Sequence, residues 1–223
     1  MAKLEAYDKT LDYSYAPGIF PATECLKNAK KRCTRLLVSS NGLQSEGVQA
    51  LEKAAQEADI RVEVADRALE RISKKENCFA AMVYKKAEGR FDEDSPHIVL
   101  HHPSDSGNLG TILRTALGFG LKNIAIIRPA VDSDDPRVVR ASMGAAFRAV
   151  PVAMTREAAV ASCRANGVRL LATALRADAH DLREETLSQT AVIIGSEGQG
   201  VCRELLDAAD GTVIIPMQSY CES

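Results

Sequence analysis

The chain has 223 residues, 46% of them hydrophobic and 26% charged, with a formal net charge of −2 at pH 7. That length holds one large domain or two modest ones, and two are expected; the near-neutral charge argues against a protein that coats nucleic acid by bulk attraction alone. No apolar tract is long enough to span a bilayer and the start, MAKLEAYDKTLDY, mixes acids and bases, so neither a membrane span nor a secretory signal is expected, and the reading is a soluble, cytoplasmic protein.

Residues 1–16 are polar with scattered tyrosines and no evident periodicity, which predicts an N-terminal arm. After Pro17-Gly18 the pattern predicts a helix near 22–33, a strand RLLVSS (35–40), a helix SEGVQALEKAAQEA (45–58), a strand IRVEVA (60–65), a short helix from Asp66 and a strand CFAAMVYKK (78–86). Residues 17–88 therefore read as a small α/β domain. The run AEGRFDEDSP (87–96) is charged, carries Gly and Pro and lacks apolar spacing, which predicts a linker at 89–95.

The alternation restarts over 96–223. Strands are expected at HIVLHH (97–102), NIAIIRP (123–129), VPVAM (150–154), RLLATAL (169–175), TAVIIG (190–195) and TVIIPM (212–217). Helices are expected from Asn108, over DPRVVRASMGAAF (135–147), near 157–165 and from Val201. Short continuous apolar strands separated by helices are the pattern of a parallel sheet covered on both faces.

Six cysteines (Cys25, Cys33, Cys78, Cys163, Cys202, Cys221) show no C-x-x-C pairing, so reduced thiols that mostly fill core are expected, with no disulfide frame or zinc site. The segment KNAKKRCTR brings Lys27, Lys30, Lys31, Arg32 and Arg35 together without an acid. It is either a solvated helix face or a contact for a phosphate backbone. Asp132, Asp134 and Asp135 form an acidic counterpart. His101 and His102, adjacent at a strand end, should point to opposite faces and share no metal; for His97 and His180 the sequence suggests no functional role.

Two glycine-bearing strand-to-helix junctions carry the chemistry. In IIGSEGQGV the last glycine is followed by Val201-Cys202 rather than Lys and Ser or Thr, which excludes a Walker A loop. The order G-x-x-G-x-G late in the chain is not a dinucleotide fingerprint, and the Glu197 carboxylate would repel phosphate. The turn suits a neutral or cationic ligand. In SDSGNLGTILRTALGFG, Asn108 is a candidate helix cap and Gly110 permits close backbone approach. Arg114 lies off the apolar stripe of Ile112, Leu113, Ala116 and Leu117. RASMGAAF (140–147) places small residues where backbones pack closely.

Together these stretches resemble the SpoU, or TrmH-like, RNA 2′-O-ribose methyltransferases of the SPOUT superfamily. SDSGNLGTILRTA is similar to their first motif (N-x-G-x-x-x-R-x-A), IIGSEGQGV to the second and IPMQSYCES to the start of the third, with RASMGAAF similar to the small-residue motif between. The resemblance covers 96–223; residues 17–86 resemble, more weakly, the RNA-binding module shaped like a large-subunit ribosomal protein that many members carry in front. It implies a parallel α/β sheet with a C-terminal trefoil knot, a homodimer, and S-adenosylmethionine bound by Gly195, Ser196, Glu197, Gly198 and Gly200 with Thr173, Ile215 and Met217.

The resemblance assigns Arg114 to the ribose 2′-hydroxyl and matches Asn108, Glu197 and Ser223 to other site positions. Arginine stays protonated to a pKa above about 12, so Arg114 is read as a phosphate clamp that hydrogen-bonds the nucleophile rather than as a free base. Lys27, Lys30, Lys31, Arg32, Arg35 and Arg114 are the implied RNA contacts, the partner is structured RNA, ribosomal or transfer, and no metal is required. In the family the serine matching Ser223 is followed by Leu-Asn-Val and an apolar helix, so a further C-terminal segment is expected. A catalytically silent RNA-binding protein of the same fold is the alternative.

Overall fold

The computed structural model describes residues 4–73, 78–91 and 96–218. They form two compact units, one drawn from Met1–Glu88, Asp105–Gly120 and Val131–Val150, the other from Gly89–Ser104, Leu121–Ala130 and Pro151–Ser223. Segments after the charged run at 87–96 thus pack with the N-terminal residues.

The first unit is built on strands β1 (Tyr13–Pro17), β2 (Cys33–Val38), β3 (Arg61–Val64) and β4 (Ala80–Lys85), in the order β1-β4-β2-β3. β4 runs antiparallel to both β1 and β2, while β2 and β3 are parallel. Side chains alternate across the sheet as the strand period requires. Leu36, Val38, Met82 and Tyr84 face α1 (Ile19–Ala29) and α2 (Glu46–Glu57), whereas Tyr15, Leu37, Ala81 and Val83 face Leu69 of α3 (Asp66–Ser73). Each fully buried large aliphatic side chain contributes about 1.5–3 kcal/mol of transfer free energy.

Residues 13–16 are therefore not an arm. Ser14, Tyr15 and Ala16 are all buried, so both faces of β1 are covered and the alternation that would have announced a strand is missing; the Ser14 hydroxyl is buried donating to the Asp134 carbonyl. Helix α4 (Ser106–Gly118), helix α5 (Pro136–Ala141) and a 3-10 turn at Ala145–Phe147 complete this unit. Val139 and Phe147 join the first core, and the Phe147 ring meets Tyr84 edge-on at 4.9 Å. The helix expected over 135–147 stops at Ala141, because Met143 (φ 51°) and Gly144 (φ 79°) adopt left-handed backbone that no α-helix continues through.

The second unit holds β5 (Ile98–His101), β6 (Ile124–Ile127), β7 (Val152–Met154), β8 (Arg169–Thr173), β9 (His180–Asp181), β10 (Thr190–Ile194) and β11 (Gly211–Ile214), with α6 (Arg156–Ala165) and α7 (Arg203–Ala208). The sheet order is β7-β6-β5-β10-β8-β11-β9 and every pairing is parallel. Val99, Ile127, Leu170 and Ile193 pack against Ala159 and Cys163 of α6 and Leu205 of α7. The order runs outward from β5 through β6 to β7, and β10 lies on the other side of β5. That reversal is a topological switch point, where open α/β sheets bind ligands beyond the carboxyl ends of their strands. Among the described residues no helix is long and apolar enough to cross a membrane.

Candidate functional site

The glycine turn leaves the sheet at this switch point, directly after β10. A Cβ on Gly195 would lie 2.2 Å from the Gly200 carbonyl carbon and 2.5 Å from the Val201 nitrogen, so only glycine lets the chain double back there. Ser196 and Gly200 exchange backbone hydrogen bonds of 3.3 and 2.9 Å, and the Ser196 hydroxyl accepts from the Gln199 amide at 3.4 Å. Gly200 closes the loop with φ +64° and Val201 anchors it in the core. The apex, Glu197 to Gln199, is exposed, and a Cβ on Gly198 would meet nothing within 4 Å. The Ser196 and Gly200 amides are thus engaged within the turn, and the exposed apex carries a carboxylate.

Parallel pairing of β10 and β11 with β8 brings their carboxyl ends to one edge. Four apolar side chains lie there in solvent: Leu175 (68% exposed), Ile194 (38%), Ile215 (61%) and Met217 (52%). Large apolar groups gathered at a strand edge mark a surface that something covers. The Thr173 hydroxyl donates to the Ile193 carbonyl at 3.0 Å, bridging β8 to β10. Ile215 and Met217 came from the family motif; Leu175 and Ile194 were missed, since an apolar residue at a strand end reads as core until its exposure is known. Ser223 and Cys221 lie outside the described residues.

In the first unit, Asp105 rather than Asn108 caps α4: its carboxylate accepts from the Asn108 amide at 2.7 Å. Both residues suit that position, and the helix simply begins two residues earlier than expected. Asn108 and Arg114 are exposed, whereas Leu109, Leu113 and Ala116 are buried. Gly110 does permit close approach, since its Cβ would fall 2.5 Å from the Ala141 Cβ and 2.8 Å from the Ser142 nitrogen. Gly144 is as tight, 2.5 Å from the Glu24 Cβ, so RASMGAAF is close-packed as its composition indicated.

The basic segment divides by environment. Lys30 and Lys31 are exposed on a 3-10 turn, and Lys27 is exposed with Glu24 at 3.9 Å. Arg35 pairs with Glu63 at 3.6 Å. Arg32 donates to the Lys85 carbonyl at 2.8 Å, lies 3.4 Å from Asp134 and stands 5.2 Å over the Tyr84 ring. The acidic cluster is filled from within the same unit. Asp132 accepts from the Tyr7 hydroxyl at 2.6 Å and Lys86 at 2.9 Å, Asp134 accepts from Tyr84 at 2.9 Å, and Asp135 caps α5. Burial alone would raise Asp132, but Tyr7, the Asp134 amide and Lys86 outweigh it and hold the carboxyl below its ordinary range. For Asp134 burial prevails over Tyr84 and Arg32, and its carboxyl is pushed up.

The two strand-end histidines overturn the opposite-faces expectation. His102 has φ 51°, which breaks the strand alternation, and the rings stack with centroids 4.0 Å apart. His101 is buried with Nδ1 3.1 Å from the Gly200 carbonyl oxygen, and His102 Nε2 is 3.0 Å from the Arg128 carbonyl oxygen. His180 meets Glu185 at 3.2 Å. Cys25 and Cys33, eight positions apart, bring their sulfurs within 3.6 Å, and Cys202 lies 3.6 Å from Arg156. Among the described residues no three His, Cys, Asp or Glu side chains gather as a metal site would need.

A family model described as the SpoU rRNA Methylase family matches residues 95–223, more than half of the chain. The chain is 31% identical over 119 residues to the 23S rRNA (guanosine(2553)-2′-O)-methyltransferase RlmP of Bacillus subtilis, covering 53% of this chain and 48% of that protein. It is 34% identical over 131 residues to the 23S rRNA (adenosine(1067)-2′-O)-methyltransferase of Streptomyces azureus, covering 56% and 48%. The chain thus spans about half the length of the curated relatives it matches. Among solved structures, the SpoU methyltransferase AviRb of Streptomyces viridochromogenes in complex with AdoMet superposes with a TM-score of 0.78 over 95% of this chain and 84% of that one, at 23% identity. An rRNA methyltransferase from Sinorhizobium meliloti bound to AdoMet superposes equally well, at 0.78 over 95% and 81%, also at 23% identity. Those likenesses establish an α/β fold with a large parallel sheet.

Proposed function

Because the chain belongs to the SpoU rRNA methylase family, we propose that it transfers a methyl group from S-adenosylmethionine to a ribose 2′-hydroxyl of structured RNA, ribosomal RNA before transfer RNA. The observation that carries this reading is the glycine turn at the switch point, exposed at its apex, with no Lys or Arg in its own sequence from Gly195 to Gly200, and flanked by exposed apolar side chains. That donor set fits the methyl donor and not a polyphosphate. Leu175, Ile194, Ile215 and Met217 offer apolar contact to a flat purine, Gly198 leaves room for close approach, and Glu197 favours a positive ligand. When bound, S-adenosylmethionine supplies a methyl group already activated on a cationic sulfur.

The chain's own residues then bind and orient. Bringing two bound reactants into line supplies about 7–11 kcal/mol of barrier reduction, so positioning leads. Arg114, exposed on α4, is assigned to the acceptor: its planar fork holds an RNA phosphate and hydrogen-bonds the ribose oxygen. Asn108 and Glu197 are supporting site residues. Lys27, Lys30 and Lys31 are assigned to the RNA backbone, whereas Arg32 and Arg35 have structural partners and contribute to the field. The same reading makes 17–88 the RNA-binding domain and 96–223 the methyltransferase domain, and it carries a knotted C-terminal segment, a homodimer and a cytoplasmic location.

Donor calorimetry beside a methylation assay on large-subunit ribosomal RNA tests it. Arg114→Ala is expected to abolish methyl transfer while donor affinity stays near wild type, with Arg114→Lys rescuing poorly. Wild-type turnover in Arg114→Ala would remove Arg114 from the reaction. A wild-type protein that binds RNA but no donor would favour the silent RNA-binding reading.

A further inference from the structure

Two histidines at the end of β5 have no role in the chemistry above, yet both engage backbone on either side of the switch point. β5 lies between β6 and β10. His102 reaches the Arg128 carbonyl, just past β6, and His101 reaches the Gly200 carbonyl, at the base of the turn that follows β10. The rings stack at 4.0 Å with 27° between their planes. The left-handed backbone at His102 brings the second ring alongside the first, a conformation few non-glycine residues adopt without compensating contacts.

We propose that His101 is a positioning residue for the methyl-donor turn, bracing Gly200 through its Nδ1–H as the neutral tautomer, with His102 holding the ring in place. The proposal rests on the donor-binding reading of that turn. A carbonyl only accepts, so the proton of the 3.1 Å contact sits on Nδ1. The other nitrogen, Nε2, is buried and has no hydrogen-bond partner among the described residues. A second proton there would create a buried donor without an acceptor and a desolvated charge, which costs more than an idle lone pair. Burial accordingly pushes the imidazole below its ordinary range, with His102 and Arg156 acting in the same sense and the Gly200 carbonyl and Glu204 against it.

The Gly200 oxygen also accepts the Ser196 amide, so both of its lone pairs are used. One fixes the turn to itself, and the other fixes it to β5. Without the second, the Ser196–Gly200 bridge would still form, but the base of the turn would be oriented only through the β5–β10 pairing before it and Val201 in the core after it. Loss of a buried brace of this kind loosens the ligand-binding shape rather than the reacting geometry.

Two measurements on the full chain decide the matter. The first is ring-nitrogen NMR of the wild-type protein, which is expected to show His101 protonated on Nδ1 and bare on Nε2; the opposite tautomer overturns the brace. The second is donor affinity and turnover in His101→Leu and His101→Asn, the latter carrying an amide N–H where Nδ1–H stood. Loss of one buried hydrogen bond predicts roughly tenfold weaker donor binding for leucine, a raised KM for the donor with kcat held, and substantial recovery with asparagine. Wild-type affinity in His101→Leu overturns the proposal, as does asparagine behaving no better than leucine. Should leucine prevent folding, the asparagine variant and the tautomer still decide. If the wild-type protein binds no donor, the function proposed above fails, and the tautomer alone judges the brace.

Discussion

The two glycine-bearing junctions, one after β5 and one after β10, look alike in sequence and differ in what surrounds them. Gly110 in the first unit is buried against α5, with neighbours at 2.5–2.9 Å from where a Cβ would sit. Gly198 in the second unit has nothing within 4 Å, although Gly195 three residues earlier is tighter than either. A glycine that is filled around serves the fold, and one that is open within a tightly made turn leaves room for something else. The charged clusters divide in the same way. Asp132, Asp134 and Arg32 are saturated by partners, while Lys30 and Lys31 stand in solvent.

The largest effect expected from this contrast is at Gly110. Ala141, Ser142 and Val138 confront an added methyl with backbone atoms as well as a Cβ, and backbone cannot yield as a side-chain tip does. Gly110→Ala should destabilise by about 2–3 kcal/mol, the upper part of the usual range for overpacking, as read by denaturant unfolding. A variant as stable as wild type would mean that α4 and α5 are not so close in solution, and the filled side of the comparison would fall.

A smaller effect, about 1–1.5 kcal/mol, is expected from Tyr7→Phe, which removes a hydroxyl donor from a partly exposed carboxylate. Here pH supplies the sharper test. Asp132 is held below its ordinary range, so its contribution is present above the unfolded value near pH ~4 and is lost as pH falls through the lower folded value. The gap between Tyr7→Phe and wild type should therefore be full at neutral pH and close in acid. A gap that widened in acid would mean that the hydroxyl does not stabilise the ionised form. Asp134, pushed up by burial, contributes in the opposite sense, so it does not mimic this signature.

How much of this was readable beforehand follows from the same distinction. Strand–helix alternation exposed the parallel sheet because six of its seven described strands carry a short apolar run, whereas β9 (His180–Asp181) is polar and was not expected, and the Gly195 turn declared itself through composition. β1 stayed hidden because both its faces are buried and its hydrogen-bonded Ser14 breaks the apolar pattern. The stacked histidines stayed hidden because a single left-handed residue, His102, reverses the side-chain alternation that the reading assumed. Sequence also grouped Arg32 with Lys30 and Lys31, although only long-range contacts, to Lys85 and Asp134, separate a structural cation from a solvated one. Local periodicity is written in neighbours; saturation is decided by residues far along the chain.

Gly198 is where the smallest effect on stability should accompany a real effect on binding. Its backbone lies outside the left-handed region and an added Cβ meets open space, so Gly198→Ala should change stability by less than about 0.5 kcal/mol, like other surface substitutions. If the open apex admits the methyl donor closely, the same methyl group projects toward the ligand and donor affinity should fall, with thermal unfolding as the control and calorimetry as the readout. Unchanged affinity in a fully stable Gly198→Ala would show that the ligand does not approach the turn at its apex. The Ser196–Gly200 base and the apolar edge at Ile215 and Met217 would then be left as the contacts that hold it.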